Sequence, residues 1–192
     1  MFDLSSREFW TVVHGLVLGT AFLLLFGGGL AGLWSMRAGH LTTAGVQERM
    51  RRLVVGMWVM AAIAWATVIT GTWIVYPWYR EELAESGANE FAGCADAILP
   101  TTTCSPRDFL RSNVSGDTAS WHTFGMEWKE HIAWAAPFLV TAVAFIVAYY
   151  GPRIIQRPWL RTVTIVMLVG GFAAALVGGL YGAFLNKIAP IA

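Results

Sequence analysis

Four stretches of this 192-residue chain contain no Asp, Glu, Lys or Arg, and they decide its class. They are Phe9–Met36, Leu53–Tyr76, Ile132–Tyr150 and Thr162–Asn186, of 28, 24, 19 and 25 residues. A helix needs roughly 20 apolar residues to cross the hydrocarbon core of a bilayer, so each run predicts a transmembrane helix. Composition agrees: 13% of the residues are charged, where an ordinary soluble domain has about 25%. A soluble enzyme, a nucleic-acid binder and a disordered chain are excluded, and no remaining stretch is long enough for a large catalytic domain outside the bilayer. The expected fold is an all-α integral membrane protein with one four-helix transmembrane domain over residues 1–192. The expected helices cover about 9–36, 53–79, 131–150 and 160–186, with a long loop at about 80–130.

The charges predict how the helices thread the membrane. Arg37, Arg49, Arg51 and Arg52 lie between the first two runs and Arg153, Arg157 and Arg161 between the last two, against one acid, Glu48. Short Arg-rich loops stay on the cytoplasmic side. Both hairpins therefore turn in the cytoplasm, and both termini and the long loop lie outside. The flank Met1–Glu8 is mixed in charge and the first run is too long for the apolar core of a cleavable signal, so it reads as a retained helix. Trp10, Trp34, Trp73, Trp78, Trp134 and Trp159 fall near the expected helix ends, where indole rings anchor at the headgroups. Trp58 and Trp65, seven apart, share one face of the second helix, which points to packing. Glycines concentrate in the first and fourth helices. The pairs Gly15/Gly19, Gly28/Gly32 and Gly178/Gly182 suit close helix approach.

The long loop holds both cysteines, Cys94 and Cys104. On an exoplasmic face they are expected to pair as a disulfide staple. Neither belongs to a Cys-x-x-Cys motif, and a thiol oxidase would need a second communicating pair, so a redox role is disfavoured.

Chemistry falls to the histidines. His14 is the one readily titratable side chain within the four runs, four residues inward of Trp10. Ionisable groups inside a membrane are functional candidates by default, against the plainer reading of a polar contact near the interface. The second cluster, Trp121 to Trp134, holds His122, Glu127 and His131. Glu127 and His131 are spaced i, i+4 on one face. His122 and His131 are nine apart, about 180° round a continuous helix, so only one faces inward unless the helix breaks, for which Gly125 is the candidate. His131 is the favoured inward residue, because Ala135, Phe138 and Ala142 continue its line as an apolar stripe.

With the first and third helices both beginning outside, His14 and His131 lie at similar depth and could ligate a heme iron from its two sides. In this arrangement the chain resembles four-helix membrane b-type cytochromes, the quinone-linked anchors of respiratory enzymes. The resemblance is architectural and covers the helical half of the chain. It implies one heme b near the exoplasmic face, with His14 and His131 as axial ligands, His122 as the alternative to His131, and Glu127 orienting a ligand from behind. It further implies a subunit of a respiratory or photosynthetic oxidoreductase in a bacterial plasma membrane. That subunit would pass electrons between an exoplasmic redox protein and quinone or other membrane subunits. The absence of histidine from the second and fourth helices argues against two hemes, and the absence of Cys-x-x-Cys-His excludes a c-type heme.

Three rivals stand beside this reading. His14, Glu127 and His131, with His122 or Met126 nearby, could form a zinc or copper site by ligand type. A transporter is disfavoured, because the run interiors offer only hydroxyls such as Thr67, Thr70 and Thr141. A cofactor-free accessory subunit of a membrane complex needs no functional histidine at all.

Overall fold

The computed structural model describes residues 6–36, 43–80, 107 and 120–188. His40, Cys94, Cys104 and the expected disulfide lie outside them. Among the described residues the chain is helical and contains no strand. Four helices are long and apolar enough to cross a membrane: α1 (Glu8–Ser35), α2 (Ala44–Val75), α3 (Trp121–Tyr150) and α4 (Pro158–Leu185), with mean hydropathy of 2.1 to 2.2 over their best windows. Helical structure continues past α2 through Tyr76–Arg80, and a short turn, Arg153–Gln156, links α3 to α4. Many outward side chains are apolar, including Leu24, Phe145 and Val166. Helices that are apolar outside as well as inside suit a lipid surrounding.

Side-chain contacts fix the order of packing. Gly29 and Gly32 of α1 meet Met57 and Leu53 of α2, while His14 at the start of α1 meets Gly71 at the end of α2. Trp58 of α2 packs on Phe145 of α3, and Trp65 on Phe138 and Trp134, with the Trp65 indole N–H donating to Thr141. Gly171 and Gly178 of α4 meet Val140 and Ala133 of α3. The Arg161 guanidinium at the start of α4 donates to the Met36 carbonyl beyond the end of α1, at 2.7 Å, closing the ring of neighbours. The result is an antiparallel bundle with two distinct ends. One carries the hairpin turns and is called here the Arg end. The other, where α1 and α3 start and α2 and α4 finish, is called the loop end.

Two expectations change. The third helix starts ten residues before 131, at Trp121, because an uncharged run marks only the stretch suited to hydrocarbon and a helix needs no such purity to continue beyond it. Its inward face also differs. Ala136, Val140, Val143, Ala144 and Val147 are buried, whereas Phe138 is exposed. Followed back at helical spacing, that buried line passes through Ala133, Lys129, Gly125 and His122, and misses His131.

Three helices are interrupted by a single π-helical turn, each at the loop end. The turns are Val13–Val17 in α1, Gly71–Val75 in α2 and Trp121–Gly125 in α3. Each contains a glycine. Such turns wind more loosely than an α-helix and recur at functional sites.

Candidate functional site

The described histidines sit on or near these turns, and two of them are held by α2. His14 lies within the first π turn. Its ring rests on Gly71, where an added Cβ would come within 2.7 Å of the ring's Cε1, so no larger residue fits there without moving the ring. Its Nδ1 is 3.1 Å from the Thr70 hydroxyl oxygen. The Thr70 hydroxyl has one hydrogen and points it back along its own helix, toward the carbonyls of Ala66 at 2.8 Å and Thr67 at 3.1 Å. Its oxygen therefore accepts from His14 Nδ1–H, which leaves Nε2 with the lone pair. A neutral imidazole presented this way is ready to ligate a metal or accept a hydrogen bond.

His122 lies in the third π turn and is 3% exposed. Its Nδ1 is 2.9 Å from the Tyr79 hydroxyl, in the helical extension of α2, and the two rings stack at 5.7 Å between centroids. Its Nε2 is buried and, among the described residues, is the one buried side-chain nitrogen or oxygen without a partner. Such an orphan costs about 1–3 kcal/mol. Beside the ring is a cavity of about 70 Å³ lined by Tyr76, Tyr79, Arg107, His122, Thr123, Met126, Glu127 and Glu130.

His131 is placed differently. It is exposed, and its Nδ1 donates to the Glu127 carbonyl at 2.7 Å, one turn back on its own helix. The side chain that enters the bundle at this level is Lys129, whose Nζ would lie 3.3 Å from a Cβ at Gly182. His14 and His131 are thus not brought together across the bundle interior. His122 is the inward residue of the pair, but it does not complete a sandwich with His14. Their partners on α2, Thr70 and Tyr79, are nine residues apart, about 13 Å along a helix, and two axial ligands must reach one iron. A second cavity, of about 170 Å³ between Leu24, Gly28, Gly29, Arg52, Leu53 and Gly56, lies toward the Arg end. Neither cavity approaches the several hundred Å³ typical of sites for ligands of drug size or larger. Neither of these two cavities is lined by His14. Glu127 is exposed and contributes its main-chain carbonyl to His131, besides lining the smaller cavity.

Among the described residues no three His, Cys, Asp or Glu side chains are grouped to hold a metal ion. The expected set of His14, Glu127 and His131 is not such a group. The sequence pointed to His14 through its apolar neighbours. It gave no comparable sign of Thr70, Tyr79 or Gly71, which matter through tertiary contact alone. Compared with protein families, curated proteins and solved structures, the chain matches none.

Proposed function

We propose that the chain is an integral membrane electron-transfer subunit that works at the loop end of its bundle. It carries electrons between a redox protein docked there and quinone or a neighbouring membrane subunit. The observation that supports this reading is the pair of histidines on π turns, each held through Nδ1 by a hydroxyl of α2, at one end of the bundle. The Arg excess of the two hairpin turns supports an exoplasmic position for that end. Within this reading His14 is the residue to hold the iron of a heme b. A bound heme supplies one-electron redox chemistry. The chain's own part is to offer Nε2 as ligand, with Nδ1 fixed by Thr70 and the ring seated on Gly71. In this reading His131, which is exposed, would take no part in holding the group.

The test is a reduced-minus-oxidised absorption spectrum of the purified chain. A b-type spectrum is expected, lost in His14→Ala and kept in both His131→Ala and His122→Ala. A spectrum lost in His131→Ala would restore the two-histidine sandwich. No heme in the parent would remove heme from this reading and favour a cofactor-free subunit.

A further inference from the structure

The cavity toward the Arg end is an open groove between α1 and α2. Behind it the two helices close on each other. A Cβ added at Gly29 would come within 2.7 Å of Met57 Cε, and one at Gly32 within 3.0 Å of Leu53 Cδ1. Gly28 of α1 and Gly56 of α2 are different, since a Cβ added at either meets no atom within 4 Å. Bare backbone at Gly28 and Gly56 is the floor of the groove, and Leu24, Leu25 and Leu53 are its walls. Leu24 is 72% exposed, so the groove opens away from the bundle. Leu53 is level with Gly32, and Leu24 lies eight residues further along α1. That spacing makes the groove about 12 Å long at 1.5 Å per residue.

Its polar end is Arg52, one residue before the uncharged run Leu53–Tyr76 and therefore at headgroup depth. Arg52 Nε donates to Glu48 at 2.8 Å, and Arg51 Nε reaches the same carboxylate at 3.3 Å. One carboxylate thus faces two guanidiniums, which leaves a positive charge over. The two terminal nitrogens of Arg52 make no hydrogen bond among the described residues. Arg49 is exposed and shares the helix face of Arg52 and Gly56, so it adds a second charge along the same line.

An apolar groove open to hydrocarbon, with surplus positive charge at its headgroup end, matches the two halves of an anionic phospholipid. We propose that the groove seats one such lipid. An acyl chain lies over Gly28 and Gly56, and the phosphate accepts from the terminal N–H groups of Arg52, with Arg49 beside it. About 170 Å³ takes part of one acyl chain, the remainder lying in the bilayer. A helix of a second copy, about 10–12 Å across with its side chains, is too wide to enter. The inference stands apart from the electron-transfer reading, and a heme spectrum or its absence does not bear on it.

The experiment uses the full chain, stripped of lipid in detergent and titrated with dioleoylphosphatidylglycerol or dioleoylphosphatidylcholine. Bound lipid is counted by native mass spectrometry. One phosphatidylglycerol per chain is expected to bind about fivefold or more tighter than phosphatidylcholine. Arg52→Gln should erase that preference, whereas Arg153→Gln, on the other hairpin turn, should keep it. Gly28→Leu and Gly56→Leu place side chains in open space, so the fold is kept, and each should weaken both lipids by about tenfold. These two variants test the groove even if Arg52→Gln fails to fold. Equal affinity for the two lipids, equal effects of Arg52→Gln and Arg153→Gln, or unchanged binding in both leucine variants would overturn the inference. Displacement of the lipid by inorganic phosphate would overturn it by reducing the site to a surface anion site. Paired chains without lipid would overturn it by giving the groove to a second copy.

Discussion

The two ends of the bundle are built on different principles. At the Arg end Leu33, Met36, Met57, Met60, Val147, Ile154 and Leu168 are at most 1% exposed and form one continuous core. Gly29 and Gly32 let α2 side chains close on the α1 backbone, and Arg161 caps the carbonyl of Met36. The loop end contains three π turns, two hydroxyl–imidazole contacts, an orphaned ring nitrogen and a polar cavity. Close apolar packing is concentrated at one end and polar contacts at the other. A buried unpartnered polar atom lowers stability, so its presence at the loop end marks where the bundle departs from the best packing.

Substitutions can break this comparison. The largest stability change should come from the Arg end. Leu33→Ala removes a fully buried side chain and should cost about 2–5 kcal/mol, read from reversible unfolding in mixed micelles. A small cost would mean that the core is less tightly packed than described. Next is Tyr79→Phe, which strands His122 Nδ1 as well as Nε2 and should cost about 1–3 kcal/mol. His122→Leu, by contrast, removes the orphan together with the polar ring and should leave stability unchanged or raise it. A large loss from the leucine variant would make His122 a structural residue. The smallest effect is expected for Arg52→Ala. Arg52 pairs with Glu48 at 2.8 Å on the exposed surface, and such a pair contributes little, less still as salt is added.

The apolar runs made the four helices legible, because the length of hydrocarbon to be crossed fixes a minimum run that soluble chains seldom contain. His14 was legible for the same reason: a titratable side chain among Val13, Gly15 and Leu16 stands out. The inward face of α3 was not. Periodicity favoured the line through His131, Ala135 and Phe138, yet the buried line runs through His122, Lys129 and Ala136. In a membrane both faces of a helix are apolar, so hydrophobicity no longer tells inside from outside, and small residues that admit a neighbour decide instead.

The π turns divide along the same boundary. Each contains a glycine that the sequence displays, but glycine occurs at many other positions in these helices without one. Sequence alone determined the class, the number of spans and a shortlist of histidines, all consequences of how long and how apolar a segment is. Tertiary structure decided which histidine is buried, which α2 hydroxyl holds each ring and where the cavity lies. Those outcomes depend on the rotation of one helix against another, which local composition does not encode.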